Sequence, residues 1–377
     1  KRAAERFAER CRNVDAYRVT LYGSLAATGK GHLTDVAILS VLEPVAPTEI
    51  VWKPEVVLPF HPNGMLFEGL KEGRVADSWT IYSIGGGALA NETSRLEVPA
   101  SVYPMSTISE IQQWCAREGK TYWEYVNDCE GPEIWDYLDT VWETMCATIQ
   151  RGLNNDGVLP GGLKVARKAS TYWVKSKSYT DSLSSRAKIY AYALATSEEN
   201  ASGGTVVTAP TCGSSGVMPA VLYHLSTSRN FLRIRILRAL ATAGLFGNVA
   251  KTNSSISGAE VGCQGEVGVA CAMAAAAACQ LFGGTPSQIE YAAEMGLEHH
   301  LGLTCDPVCG LVQVPCIERN AIAAARAFDA NAYATLSDGS HMVSFDKVVE
   351  VMNETGHALP SLYRETSEGG LAKRFKR

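Results

Sequence analysis

A long stretch without charge constrains the fold of this chain more than any other feature. Residues 267–285 carry no charged side chain and are rich in alanine. A helix with no polar face must be buried in a protein core or a membrane. The most apolar part, Val267 to Phe282, has 16 residues, which is fewer than the roughly 20 strongly apolar residues that span a bilayer. We therefore predict a buried core helix.

The size and composition of the chain are those of an ordinary globular protein. At 377 residues, it is long enough for two domains and a sizeable core. Hydrophobic residues make up 46% and charged residues 19%, which excludes an intrinsically disordered chain. The net charge of -5 gives no general attraction to nucleic acid or to an anionic membrane. We therefore expect neither kind of partner.

The eleven cysteines point to a reducing compartment. An odd count in a chain of this length is unlike a secreted disulfide scaffold. The charged start at Lys1 and Arg2 is also unlike a signal peptide. We expect a cytoplasmic protein in which most cysteines are buried as small apolar residues and a few bind metal.

The sequence pattern changes near residue 100 and predicts two domains. The early part mixes glycine-rich loops with one helix and two strands, predicted over Ala3–Leu25, Ile50–Leu58 and Trp79–Ile84. A proline-containing linker, Asn91–Thr107, follows, and helical periodicity dominates after it. The predicted fold class is therefore α+β, with a small α/β domain over residues 1–100 and a larger all-helical catalytic domain over residues 105–377.

Three cysteines, Cys263, Cys305 and Cys316, lie in settings marked by glycine or proline. Cys263 is at a predicted helix start, where the helix dipole favours a thiolate. Thiolates are the usual ligands of iron–sulfur clusters, and three ligands on a four-iron cluster would leave one iron open for Lewis-acid chemistry. Cys309, four residues after Cys305, is a rival ligand. The residue pattern alone leaves that choice open.

Eight segments carry patterns that are specific enough to identify a family. Those of the later part are G-A-E-V-G-C-Q-G-E-V-G-V-A-C at 258–271, H-H-L-G-L-T-C-D-P-V-C-G-L-V-Q-V-P-C-I-E-R-N at 299–320, T-A-P-T-C-G-S-S-G-V-M-P-A at 208–220, G-V-L-P-G-G-L-K-V-A-R-K-A at 157–169 and E-T-S-E-G-G-L-A at 365–372. Those of the early part are G-S-L-A-A-T-G-K-G-H-L-T-D at 23–35, L-P-F-H-P-N-G-M at 58–65 and Y-S-I-G-G-G at 82–87. Together they resemble the iron–sulfur L-serine dehydratases (L-serine ammonia-lyases), over nearly the whole chain and in the order of the single-chain bacterial form.

The resemblance implies an enzyme that converts L-serine to pyruvate and ammonia with a [4Fe-4S] cluster and without pyridoxal phosphate. It makes Cys263, Cys305 and Cys316 the cluster ligands and Cys309 a bystander. The open iron would bind the substrate and take the β-hydroxyl as it departs. A base would remove the Cα proton, and the aminoacrylate product would tautomerise and hydrolyse. A homodimer is also expected from the resemblance.

Two histidines are the candidate bases, because imidazole titrates near neutral pH. His32 and His61 each lie in a loop bracketed by glycine or proline that matches a family segment. The alternative for each is a structural role, which is the commoner one for a lone histidine. His299 and His300 lie next to the cysteine-rich stretch and are expected only to orient it.

Glycine-containing loops are the candidate cradle for the substrate carboxylate, because their backbone N–H groups can approach an anion. The predicted loop residues are Ser202, Gly203, Gly204, Thr211, Gly213, Ser214, Ser257 and Gly258. The alternative is that these glycines only turn the chain. Lys30 is a candidate cation for the carboxylate, as are Lys164 and Arg167.

The two ends of the chain differ from the family pattern. The family's small domain usually opens with a serine-rich loop, and this chain begins after it. The family also usually has a cysteine a few residues past the segment Gly369–Ala372, which can occupy the fourth iron, whereas this chain ends at Arg377 without one. If the opening loop lines the site, the chain as written is expected to be weakly active or inactive.

Three alternatives stay open at this stage. A pyridoxal-phosphate dehydratase is suggested faintly by Lys251-Thr252-Asn253, but Val249 stands where such enzymes usually have serine. A non-catalytic iron–sulfur or ligand-sensing protein would share the same fold. A related lyase would act on another β-substituted amino acid such as threonine or cysteine, because excluding one methyl group is worth only about 1–3 kcal/mol.

Overall fold

The computed structural model describes residues 1–84, 87–92 and 102–375, which form two compact units. The first unit contains the described residues up to 92 together with 305–312 and 360–375, and the second contains 102–304 and 313–359. The sequence pattern had assigned 305–312 and 360–375 to the larger domain. None of the helices in the described residues is long and apolar enough to cross a membrane.

The first unit is built on a mixed sheet. Its described strands are β1 Ala16–Tyr22, β2 Thr48–Lys53, β3 Gly64–Lys71, β4 Arg74–Ser83 and β5 Leu89–Ala90. They lie in the order β2-β1-β3-β4-β5, with β1 parallel to β2 and the other neighbours antiparallel. The helices of this unit are α1 Arg2–Arg10, α2 Gly23–Thr28, α3 Thr34–Leu42 and a short one at Gly370–Arg374.

The helix predicted over Ala3–Leu25 is wrong, because α1 and α2 are separated there by the strand β1. In β1, Tyr17, Val19 and Leu21 point to the core and are buried, which is the period-two pattern of a strand. The ring of Phe7 in α1 meets the ring of Tyr17 edge-on, with centroids 6.0 Å apart. The apolar spacing of the helix runs directly into that of the strand, and this continuity hid the boundary.

The two predicted strands overlap β2 and β4, whereas β1, β3 and β5 were missed. β2 ends at Lys53, earlier than predicted, because Pro54 follows and has no N–H to continue the ladder. The predicted linker Asn91–Thr107 lies partly outside the described residues, which stop at 92 and resume at 102.

The second unit is helical throughout its regular structure in the described residues, and the α+β fold class is confirmed. Its helices are α4 Ile108–Glu118, α5 Tyr122–Glu130, α6 Glu133–Asn154, α7 Ala169–Ser176, α8 Asp181–Ala201, α9 Val217–Arg229, α10 Arg233–Asn253, α11 Gly258–Val261, α12 Val269–Leu281, α13 Pro286–Glu298, α14 Cys316–Leu336 and α15 Phe345–Ala358.

The uncharged stretch forms the central helix of this unit, α12, and the predicted buried helix is confirmed. Every residue of α12 except Gln280 is buried, and the helix packs against α9, α10, α13 and α14. Small side chains allow close approach, since a Cβ atom on Gly296 of α13 would lie 2.9 Å from the Cα atom of Ala272. A π-helical turn over Gln264–Gly268 leads into α12.

Candidate active site

The first unit holds His32 in a loop between α2 and α3. Its Nε2 atom lies 3.1 Å from Oε1 of Glu365, and both side chains are largely buried. Leu33 and Glu365 both have left-handed backbone conformations, with φ values of 55° and 60°. Such conformations are unfavourable for residues with a Cβ atom and persist only where surrounding contacts fix them. The His32–Glu365 pair is therefore a rigidly defined feature.

Backbone hydrogen bonds join Glu365 to Cys305 within the same unit. The Glu365 N–H donates to the Cys305 carbonyl at 2.6 Å, and the Cys305 N–H donates to the Tyr363 carbonyl at 2.8 Å. Cys305 is only 4% exposed. Glu365 thus contacts a predicted base with its side chain and a predicted ligand residue with its backbone. The structure brings His32 and the Cys305 segment into one site.

Two glycines allow the His32 loop to lie against the segment that follows Cys305. A Cβ atom on Gly31 would be 2.0 Å from the Gly310 carbonyl oxygen, and one on Gly310 would be 2.4 Å from the Ala27 carbonyl oxygen. Gly310 also has a φ of +68°. Only glycine fits a backbone contact this close. The glycines of this loop therefore serve packing directly, beyond turning the chain.

His61 is 5% exposed, in a turn beside the start of α2. Its Nδ1 atom accepts a hydrogen bond from the Asn63 N–H at 3.0 Å, so the proton of the neutral ring is on Nε2. The turn is held because the Ser24 N–H donates to the Pro62 carbonyl at 3.1 Å. Lys30 is exposed, and its Nζ atom lies 5.4 Å from the ring centroid of Trp52.

In the second unit, the backbone around Cys263 is fixed by its neighbour Gly262. Gly262 has a φ of +75°, and a Cβ atom there would lie 2.7 Å from the Leu303 carbonyl oxygen. The same carbonyl accepts the Cys263 N–H at 2.9 Å. The Gln264 carboxamide oxygen accepts the Gly302 N–H at 2.9 Å. Cys263 is 2% exposed, at the start of the helical stretch as predicted.

A buried carboxylate, Glu266, accompanies Cys263. The Cys263 Sγ atom and a Glu266 carboxylate oxygen lie within 4.8 Å of each other, so together they form a buried group of metal-ligand type. The Thr211 hydroxyl donates to Oε1 of Glu266 at 2.8 Å and lies 3.1 Å from the Ser214 hydroxyl. A Cβ atom on Gly213 would lie 3.2 Å from the same Oε1 atom. Three predicted loop residues, Thr211, Gly213 and Ser214, are thus gathered around Glu266 and Cys263.

Cys316 is the first residue of α14 and is buried. One turn later, the Asn320 amide nitrogen donates to the Cys316 carbonyl at 2.8 Å and to the Gly213 carbonyl at 2.7 Å. The Asn320 amide oxygen accepts the Gly216 N–H at 2.9 Å. Asn320 therefore ties the Cys316 turn to the loop of Thr211.

The other two predicted loops have their backbone groups engaged locally. The N–H groups of Ser202, Gly203 and Gly204 donate to carbonyls at the end of α8, and the Ser202 hydroxyl accepts from Arg167 at 2.8 Å. Ser257 precedes α11, and its N–H donates to the Ser255 hydroxyl at 3.0 Å. The substrate-binding roles of these residues, and of Gly258 and Lys30, stay predictions.

His300 lies against the π-helical turn, since a Cβ atom added to Gly268 would be 2.9 Å from the Cβ atom of His300. Its Nδ1 atom is 2.7 Å from the Gly296 carbonyl, so Nδ1 carries the proton. Burial lowers the pKa of His300, which favours the neutral ring. His299 is more exposed, with Nδ1 3.0 Å from the Met295 carbonyl. Cys309, the rival ligand, is exposed in the structure.

Comparisons with known proteins find two family matches along the chain. The family model described as serine dehydratase beta chain matches residues 1–50, and that described as serine dehydratase alpha chain matches residues 72–372. The chain is 42% identical to L-serine dehydratase of Streptomyces coelicolor, over 98% of this chain and 93% of that protein. It is 42% identical to L-serine dehydratase 1 of Escherichia coli, over 96% of this chain and 90% of that protein. It is 35% identical to L-serine dehydratase of Helicobacter pylori, over 96% of this chain and 91% of that protein.

Proposed function

This chain belongs to the serine dehydratase family, with the alpha-chain and beta-chain parts in one polypeptide, and from that premise we propose that it converts L-serine to pyruvate and ammonia. The observation that carries the proposal is 42% identity to a curated L-serine dehydratase over 98% of this chain. The relatives it matches this fully are named L-serine dehydratases. A homodimer in a reducing cytoplasm completes the proposal.

A [4Fe-4S] cluster held by Cys263, Cys305 and Cys316, in place of pyridoxal phosphate, is the second part of the proposal. The residues fit such a group, because all three cysteines are buried and the Cys263 thiol lies within 4.8 Å of the Glu266 carboxylate. Buried thiols favour soft metal centres such as iron–sulfur clusters. When bound, a cluster with three protein ligands supplies a Lewis acid for the leaving hydroxyl.

His32 is the proposed base for the Cα proton of serine. If its Nε2–H donates to Glu365, then Nδ1 carries the lone pair of the neutral ring. Glu365 would orient the imidazole and stabilise the imidazolium that forms, as the carboxylate does in a histidine–aspartate pair. His61 has its proton on Nε2, because Nδ1 accepts from Asn63. It is therefore better suited to donate a proton than to accept one.

The loop at Thr211, Gly213 and Ser214 is the proposed binding site for the substrate carboxylate. It offers hydroxyl groups and a backbone close to Cys263 and Glu266, the pair of metal-ligand type. The Ser214 hydroxyl can donate a hydrogen bond to a carboxylate, whereas the single hydroxyl proton of Thr211 is already donated to Glu266. Ser202, Gly203, Gly204, Ser257, Gly258 and Lys30 stay candidates for the rest of the substrate.

The test is to measure iron, acid-labile sulfide and pyruvate formation from L-serine on one anaerobic preparation. We expect about four iron and four sulfide per chain together with turnover. Replacing Cys263, Cys305 or Cys316 with alanine should abolish both, whereas Cys309→Ala is the matched control, because this thiol is exposed. A cluster without turnover would favour a sensing role. Absence of iron after reconstitution would overturn the proposed cluster. Turnover of threonine but not of serine would overturn the proposed substrate.

A further inference from the structure

A cavity lies in the second unit, in the groove formed by α13, α14 and the loop before α15. Its volume is about 680 Å³. Among its lining residues are Tyr291, Glu294, Glu298, Arg326, Tyr333 and His341. Arg326 is ten residues along α14 from Cys316, which is on the order of 15 Å at the rise of a helix. The cavity is therefore a separate site from the candidate active site.

Glu294 is buried in this cavity without a partner. It is 5% exposed, and no hydrogen bond or ion pair joins its carboxylate to any residue that the structure describes. One turn earlier, Glu290 is equally buried but fully engaged, since it lies 2.6 Å from Nε2 of His341 and accepts the Phe345 N–H at 2.5 Å. Burying an ionised carboxylate is unfavourable unless a proton or a positive group neutralises it, so a cationic ligand group would stabilise the ionised form of Glu294.

Arg326 supplies the opposite charge in the same cavity. Within the described parts of the chain, its guanidinium also has no hydrogen bond or ion pair. Its neighbour Asp329 is in contrast paired, at 2.9 Å from Arg186. Glu294 and Arg326 thus line one cavity without contacting each other. A ligand that carries both an ammonium and a carboxylate would satisfy both groups at once.

Aromatic rings form the other wall of the cavity. The rings of Tyr291 and Tyr333 meet edge-on with centroids 6.0 Å apart, and Tyr291 stacks on His341 at 4.3 Å. Aromatic faces attract ammonium groups. Burial, followed by the charges of Glu298 and Glu290, raises the pKa of Glu294 to about 7. A bound ammonium would counter each of these effects.

We propose that this cavity binds an α-amino acid, with its ammonium on Glu294 and its carboxylate on Arg326. The proposal goes beyond the dehydration of serine, because it assigns a second amino-acid site that uses none of the cysteines or catalytic histidines. It therefore predicts binding that does not depend on iron or on turnover.

The test is isothermal titration of the full-length chain with L-alanine, L-phenylalanine and L-arginine as small, aromatic and cationic probes. Lactate and ethylamine each lack one of the two charges of alanine and serve as ligand controls. We expect saturable binding of at least one amino acid, and at least tenfold weaker binding of the single-charge compounds. The His32→Ala variant should bind as the wild type does, which separates this site from the active site.

Variants decide whether the binding is at this cavity. Glu294→Gln and Arg326→Gln should each weaken binding at least tenfold while serine turnover is retained, whereas Glu354→Gln, at an exposed position of α15, should change nothing. Arg326 is exposed, so its variant tests the proposal even if Glu294→Gln unfolds. Wild-type affinity in both cavity variants, or no saturable binding by any probe, would overturn the proposal. Binding of Mn²⁺ but of no amino acid would reassign the cavity to a metal.

Discussion

At the residue scale, the carboxylate of Glu365 is expected to position His32 for proton abstraction. Replacing Glu365→Gln keeps the size of the side chain but removes the charge that would stabilise the imidazolium of His32. We expect kcat for serine to fall about tenfold to a hundredfold, with little change in KM. The measurement is steady-state kinetics across pH, since a positioning role should also alter the pH profile.

The control for this prediction is Glu368→Gln, three positions later at an exposed site. Its kinetics should match those of the wild type. A Glu365→Gln variant that folds normally and keeps both kcat and the pH profile would contradict the role of the Glu365–His32 pair.

A second prediction concerns the stability contributed by the protonated Glu294. Its pKa is about 7 in the folded chain, against 4.5 for an ordinary glutamate, so the folded state holds the proton more tightly. This stability is fully present below pH 4.5 and is lost as pH rises through about 7. Allowing for screening by solvent, we expect a loss of about 1–2 kcal/mol.

The measurement is urea unfolding of the wild type and of Glu294→Gln at pH 4.5 and pH 8. The variant has no proton to lose at this position, so its free energy of unfolding should fall less over the same interval. Glu354→Gln should behave as the wild type does. An identical pH dependence of the free energy of unfolding in Glu294→Gln would show that the pKa of this carboxyl group is not raised.

Candidate site residues were easier to propose from the sequence than the residues that contact and orient them. His32, Cys263 and Cys316 stand in recognisable segments, whereas Glu365 acts on a histidine 333 positions away and Asn320 on a carbonyl 107 positions away. Such partners are set by tertiary packing and leave no local pattern. Glu266 could have been proposed as a site residue from the sequence, because it lies three residues after Cys263 at a helix start.

At the scale of elements, the same type of substitution, glycine to alanine, should change the stability in opposite directions in two helices of the second unit. Gly296→Ala in α13 places a Cβ atom 2.9 Å from the backbone of Ala272 in α12, and such overpacking costs about 1–3 kcal/mol. Gly244→Ala in α10 meets nothing within 4 Å and should stabilise the helix by up to about 1 kcal/mol. Urea unfolding of both variants measures the difference, and destabilisation by both would contradict the packing explanation.

Helices and strands were predictable where a single hydrophobic pattern extended over a long stretch of sequence. The core helix α12 followed from its lack of charge, and the capping sequences of later helices are regular, as at Thr107 and Thr285. In the first hundred residues, short strands and helices alternate within a few residues. The helix–strand boundary before Tyr17 was missed for that reason. So was β3, although it pairs with β1 and, across a short turn, with β4.

At the scale of the whole molecule, the family and the fold class were predictable because the matching segments extend over nearly the entire chain. Which segments of the chain belong to the first unit could not be predicted. Cys305 pairs with Arg364 through a parallel bridge, and the Asp306 carboxylate accepts the Leu371 N–H at 2.5 Å. These contacts hold 305–312 and 360–375 together in the first unit, and linear order gives no sign of them.

The last prediction is that removing iron lowers the melting temperature of the whole chain. A cluster that binds only the folded state stabilises it by mass action. Cys305 lies 42 positions after Cys263, and Cys316 lies 11 after Cys305, so ligation would close two loops whose ends are otherwise costly to bring together. We expect an anaerobic holoprotein to lose at least about 5 °C on chelation.

Matched cysteine variants identify the origin of that shift. Cys309→Ala should show the full shift, because its exposed thiol is not a proposed ligand. Cys263→Ala should melt at one temperature with or without chelator, since it should not hold the cluster. If the wild type contains four iron atoms per chain and still melts independently of chelator, the iron is bound outside the cooperative fold and the three cysteines are not its ligands.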